Sequence, residues 1–205
     1  MSQFNAPRKK AATAMRQLIV TAFTSLDGVM EAPGGEPGYH NAGWSMSSVE
    51  FDPAAFEIKG SEQDEAEAMV LGRVSYQSFG AVWPSMDEQF PKYNAMPKYV
   101  VSSSLRENEL IDGWGGTQIL RSAAEVARLR AGEGGPLIIH GSSTLVHSLQ
   151  EHQLIDRYHL LVFPVLLGSG KRLFSEASLA TQKLQLVDSA VYSNGIQKNV
   201  FDVVR

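Results

Sequence analysis

Three short stretches bring small and polar residues together where an anion could be held: "LGRVS" around Gly72, "VSSS" around Ser102 and "HGSST" around Gly141. The last sits inside "GPLIIHGSSTLVHSL", Gly135 to Leu149. Leu137–His140 reads as a buried strand, Gly141-Ser142-Ser143 as a turn, and apolar Leu145, Val146 and Leu149 as the inner face of a helix. The first turn of a helix exposes unpaired N–H groups and carries partial positive charge. Small residues let a phosphate approach that backbone closely. Any one of these turns could equally serve packing. Together, on one rim of a sheet, they would suit a dinucleotide with its pyrophosphate and a ribose phosphate.

Other residues could act on a substrate. Asp27, in Leu26-Asp27-Gly28, could orient substrate or cofactor, or simply shape a turn. Tyr39, His40 and Trp44 lie in "EAPGGEPGYHNAGW", a Gly- and Pro-dense loop long enough to be functional; they could line a pocket or anchor the loop. His140 could face the cofactor or the core. His147, His152 and His159 share no metal-ligand spacing. The 205 residues include no cysteine, so thiolate metal sites and disulfides are excluded. No Ser-His-Asp constellation stands out. A net charge of -4 argues against a nucleic-acid surface. No apolar run reaches membrane-spanning length, and the basic N-terminus lacks the apolar stretch of a secretory signal. A cytoplasmic protein acting on a small molecule is the expectation, without nucleic-acid or membrane partners.

The elements that must position these residues alternate. Residues 1–14 read as a flexible tail and 15–205 as a single domain. Strands are expected at "RQLIVTAF" (Arg16–Phe23), "AMVLG", "KYVVSS", "TQILR", "LIIH" and "DRYHLLVFPVLLG". A closing hairpin runs through "LQLVDSAVYSNGIQKNVFDVV", turning at Ser193-Asn194-Gly195. Helices follow Asp52 (an N-cap before Pro53, with Gly60 a possible break), Gly72, Ser122 (a capping box with Glu125) and Ser142. The alternation predicts a three-layer α/β/α fold: a mixed, mainly parallel sheet of about eight strands with a C-terminal antiparallel hairpin. Ligands bind such sheets outside the carboxyl ends of the strands, where all three small-residue turns would fall.

The chain resembles the dihydrofolate-reductase-like reductases related to the C-terminal domain of the bifunctional riboflavin-biosynthesis deaminase/reductase, RibD. "TSLDGVM", "AMVLGRVSYQSFGAVWP", "KYVVSSSL", "LIIHGSSTLVHSL" and "LIDRYHLLVFPVLLGSGKRLF" carry the resemblance, in the family's order. It implies an NADPH site. Gly72, Arg73 and Ser75 match the second phosphate-binding helix. Ser102 and Ser103 match the turn that meets the adenosine ribose phosphate. His140, Gly141, Ser142, Ser143 and Thr144 match the pyrophosphate loop. Asp27, Gly28, Val29 and Met30 match the loop that closes over nicotinamide and substrate, and Ala22 and Phe23 lie beneath the nicotinamide. Asp52 matches the substrate-facing carboxylate of folate reductases, or stays an N-cap. Relatives often carry Arg where Ser103 stands, so NADH is possible beside NADPH. The resemblance implies an NAD(P)H-dependent reductase, of the phosphoribosylaminouracil-reductase or dihydrofolate-reductase type, acting on a small heterocycle. The alternative is a non-catalytic nucleotide-binding protein on the same fold. Related reductases pair through the region of "YHLLVFPVLL", so a homodimer is expected.

Overall fold

The computed structural model describes residues 15–174 and 181–205. The expected N-terminal tail lies outside them. Eight strands form one sheet in the order β4-β3-β2-β5-β1-β6-β8-β7. They are β1 (Leu18–Ser25), β2 (Ala68–Gly72), β3 (Lys98–Val101), β4 (Thr117–Leu120), β5 (Leu137–His140), β6 (Arg157–Phe163), β7 (Leu184–Val191) and β8 (Gln197–Val203). β1 to β6 run parallel, and β8 is antiparallel to both β6 and β7. The expected mainly parallel sheet with a terminal hairpin is the observed one.

Helices cover both faces. They are α1 (Trp44–Ser47), α2 (Pro53–Glu65), α3 (Arg73–Gly80), α4 (Pro91–Ala95), α5 (Ala123–Ala131) and α6 (Ser143–Glu151). Leu18, Val20, Val70, Leu137 and Ile139 pack on one face beneath Val126 of α5 and Leu145, Val146 and Leu149 of α6. On the other face, Met69, Leu71 and Ile138 meet Tyr76, Tyr93 and Trp114, while Leu161 and Phe163 meet Trp44 and Ala55. Alternate residues of one strand thus enter opposite cores, as the pleat requires.

The chain runs outward from β1 to β2, β3 and β4, then returns to insert β5 between β2 and β1. That return is what matters for the site. It sets the turn after β5 between the end of β2 and the end of β1, where the sheet's connections change direction.

Several local expectations change. α2 runs unbroken through Gly60, and Asp52 caps it by accepting from the Ala54 N–H at 3.0 Å. The Ser122 hydroxyl makes no cap bond; Glu125 Oε2 instead accepts from the Arg121 N–H at 2.7 Å, one residue earlier. The long strand over "DRYHLLVFPVLLG" stops at Phe163, before Pro164, which has no N–H to give a ladder. Its apolar residues on both faces follow from burial between β1 and β8, not from a sheet edge. The expected pairing region "YHLLVFPVLL" falls on β6 and the loop after it, with β8 and the mostly exposed β7 between β6 and one edge of the sheet.

Candidate functional site

The turns after β2 and β5 touch. A Cβ built on Gly72 would collide with Ser142 Oγ, and one built on Gly141 would lie 3.6 Å from Ser75 Oγ. Gly141 (φ 63°) and Ser142 (φ 64°) both adopt left-handed backbone, which turns the chain sharply from strand into helix. Gly supplies that conformation at no steric cost; a serine there is strained. The result is a cradle between the N-termini of α3 and α6, with the Ser75 hydroxyl beside it, Thr144 exposed and Arg73 exposed at the first position of α3. Ser143 is buried. Gly72 and Gly141 bear no side chain themselves, and the Ser142 and Ser75 hydroxyls lie against them beside the two helix starts, so the residues fit a pyrophosphate.

The turn after β3 completes the rim. Ser102 Oγ accepts from the N–H groups of Ser104 and Leu105 at 3.2 and 3.0 Å, which leaves Ser103 and Ser104 exposed. Arg121, at the end of β4, donates from Nη1 to the carbonyls of Ser102 and Leu105 at 2.9 and 2.8 Å. A guanidinium is therefore held against the Ser102–Ser104 turn, although the turn itself contains no Arg. Position 121 sits almost twenty residues after the "VSSS" stretch, and only the pairing of β3 with β4 brings them together.

The remaining expected residues are placed differently. His140 turns away from the cradle. Its ring packs edge-on against Trp83 and Tyr93, with centroids 5.5 and 4.7 Å away. Burial pushes its pKa down to about 3, and Nε2 has no hydrogen-bond partner. Ala22 and Met30 are buried in the hydrophobic cluster that α6 also joins; Phe23 points to the opposite face, against Phe56 and Phe163.

Asp27 is an anchor in this structure. Its carboxylate accepts from Ser25 Oγ at 2.6 Å, the Leu167 N–H at 3.1 Å and the Gly168 N–H at 2.8 Å. The Ser25 hydroxyl and these amides hold its pKa down at about 2. Gly28 takes the left-handed conformation the turn needs (φ 82°), and Val29 bridges to Arg172. This loop is laced to residues 167–173. Asp52 spends its carboxylate on the helix cap and on the Ser193 hydroxyl, 2.7 Å away. The Tyr39 hydroxyl donates to the Ser169 carbonyl, and Trp44 Nε1 donates to the Glu31 carbonyl. These bonds tie Asp52, Tyr39 and Trp44 to neighbouring loop and hairpin residues.

A polar cluster that the sequence did not reveal lies deeper, between α2 and the sheet. Glu62, only 3% exposed, accepts from Thr21 Oγ1 at 2.8 Å and lies 2.9 Å from His159 Nδ1. Lys59 bonds to Thr21 and sits 3.2 Å from Glu62 Oε2 and 5.0 Å above the Phe23 ring. Burial alone would raise the Glu62 pKa. The Lys59 ammonium and the His159 hydrogen bond outweigh it and bring the carboxyl to about 2. Ala55, Lys59 and Glu62 share helical spacing, so two charged residues on the inward face were the available signal.

Among the described residues no group of His, Cys, Asp and Glu could hold a metal ion, and no helix is long and apolar enough to cross a membrane.

The chain is similar to known proteins in sequence and in structure. YyaP, an uncharacterized protein of Bacillus subtilis (strain 168), is 23% identical over 192 residues, covering 91% of this chain and 94% of its own. The structure of a protein from Shewanella sp. PV-4 assigned to riboflavin biosynthesis aligns with TM-score 0.70 at 24% identity, over 92% of this chain and 99% of that one. Dihydrofolate reductase from Enterococcus faecalis, solved with NADP(H), aligns with TM-score 0.58 at 15% identity, over 92% and 97%. The model of the RibD C-terminal domain matches residues 16–198. With that match spanning nearly the whole sheet and both turns of the cradle, the chain belongs to the RibD C-terminal domain family.

Proposed function

We propose that the protein is an NAD(P)H-dependent reductase that transfers a hydride to a small, heterocyclic substrate. The observation that carries this reading is the contact between the Gly72–Ser75 and Gly141–Ser142 turns, which sets two helix N-termini side by side with small and polar residues between them. A single phosphate-sized turn would be ordinary; two that touch at the switch point of a parallel sheet suit a pyrophosphate. Gly72, Ser75, Gly141, Ser142 and Thr144 would hold it. A bound nicotinamide supplies the hydride, while the protein orients it and keeps water away.

NADPH is the preferred cofactor in this reading. Arg121 and Arg73 flank the Ser102–Ser104 turn, and a guanidinium binds a phosphate through paired N–H groups. Fluorescence titration tests it. NADPH emission should rise on binding, and Arg121→Ala should weaken NADPH at least tenfold, about 1.4 kcal/mol, while changing NADH little. Equal losses for both cofactors would remove Arg121 from phosphate recognition. No binding of either would remove the reductase reading itself. We further propose that the protein is a homodimer paired along β7, one of the two edge strands of the sheet, where Leu186, Val187 and Val191 are 50%, 43% and 76% exposed.

A further inference from the structure

The sheet order sets the direction in which a dinucleotide would lie. The Ser102–Ser104 turn follows β3, the cradle joins the ends of β2 and β5, and the next strand along is β1. With a ribose phosphate at the first and a pyrophosphate at the second, the nicotinamide end is carried to β1. The pairing of β1 with β5 ends at Thr21–His140, just before Gly141, whereas β1 stays paired with β6 as far as Ser25. Ala22–Ser25 therefore pair with no residue of β5. Of these, Ala22, Thr24 and Ser25 are buried and Phe23 is not. The face that Phe23 shares with Thr21, beneath α2, is thus the open one at the end of β1.

Lys59 stands on that face. Its ammonium donates to the Thr21 hydroxyl, lies 5.0 Å from the centre of the Phe23 ring and is 3.2 Å from Glu62 Oε2. The two charges differ in access: the Lys59 side chain is 20% exposed and that of Glu62 1%. The cation is on the solvent side of the pair and the carboxylate beneath it. A group arriving from solvent meets the positive end first. The oxidised nicotinamide ring carries a positive charge and the reduced ring carries none, while the rest of the cofactor is the same in both. Like charges held close together repel, and more strongly where water is excluded.

We propose, resting on the reductase reading, that Lys59 is a specificity-determining residue: its ammonium faces the nicotinamide and makes the site prefer NADPH to NADP+. The preference keeps the oxidised product from occupying the site and favours its release. Glu62 and Thr21 are positioning residues, which hold the ammonium above Phe23.

Calorimetric titration of NADPH and of NADP+ into the same proteins tests it. The parent should bind NADP+ about tenfold more weakly than NADPH or worse, about 1.4 kcal/mol. Lys59→Met should narrow that ratio about fivefold or more by tightening NADP+, and Lys59→Arg, which keeps the charge, should retain it. Lys59→Met strands a buried carboxylate, so Lys59→Met combined with Glu62→Gln covers the case of a single variant that does not fold, and it should narrow the ratio as well. Arg128→Met removes an exposed cation from α5, on the other face of the sheet, and should leave the ratio unchanged. A Lys59 that only supports the fold would weaken both forms together and leave the ratio alone. The proposal is overturned if the parent binds both forms alike, or if the folded Lys59 variants keep the parent's ratio. It is also overturned if Arg128→Met narrows the ratio as much, or if Lys59→Arg loses the preference along with Lys59→Met. A parent that binds NADPH but fails these comparisons leaves the reductase reading in place; one that binds neither form removes both.

Discussion

Glu62 has more at stake than any other charged residue on α2. It is nearly inaccessible, and Thr21, Lys59 and His159 all depend on it. Its pKa, lowered from 4.5 to about 2, ties stability to acid. The unfolded chain takes up the proton first as pH falls, so the stability this carboxylate contributes is complete above about 4.5 and is lost between there and about 2. Glu62→Gln should therefore give a flatter loss of stability over that window than the parent, measured by urea unfolding at a series of pH values. Equal slopes would mean that the carboxylate is not ionised in the folded state. Nothing near Glu62 in the chain announces this. Acidic neighbours such as Glu57, Asp64 and Glu65 make it look like part of a solvated face, and its His159 partner lies 97 positions away. Arg121 was hidden in the same way, because β3 and β4 had to pair before it could reach the Ser102 turn. Asp27 was visible as a turn residue, but its acceptor role depends on amides of residues 167 and 168.

At the scale of elements, patterns that are local in the chain were readable. α2 begins at the Asp52–Pro53 cap, and the closing hairpin turns at Ser193–Gly195, where Gly195 is left-handed (φ 83°). Patterns that depend on neighbours were less so. β6 read as too long because the apolar residues Val165, Leu166 and Leu167 continue past Pro164 as a loop of the same composition, though none of them is buried. The Ser122 capping box failed because Glu125 met the backbone N–H one residue early. The two phosphate turns were each visible; their contact was not. That contact makes a sharp prediction. Gly72→Ala places a methyl group against Ser142, with Leu145 Cβ 3.8 Å away. It should cost about 1–3 kcal/mol, as overpacking does. Ser142→Gly removes the opposing hydroxyl and relieves a strained left-handed serine, so it should recover most of that loss in the double variant. Denaturant unfolding of the four proteins checks it. Additive effects of the two changes would show that the turns do not press on one another.

The whole molecule follows from the return of the chain to β5. Alternating strands and helices were enough to read three layers and a parallel sheet, because each strand's apolar run needs cover on both faces. The closing hairpin was readable as one edge of the sheet, but not which of its strands is outermost; β7 is, with β4 at the other edge, and it leaves apolar side chains in water. Light scattering at micromolar concentration should find a dimer, and Val191→Lys with Leu186→Lys should shift it to monomer without unfolding. A monomeric parent would contradict pairing at this edge. The most direct test of the account as a whole is calorimetric titration of NADPH into the parent and into Gly141→Asp. The aspartate would place bulk and negative charge at the helix start that is held to receive the pyrophosphate, beside Ser75 rather than inside the core. The account predicts that the parent binds NADPH and that the folded variant binds at least tenfold more weakly. A folded Gly141→Asp protein that binds NADPH as tightly as the parent would contradict it.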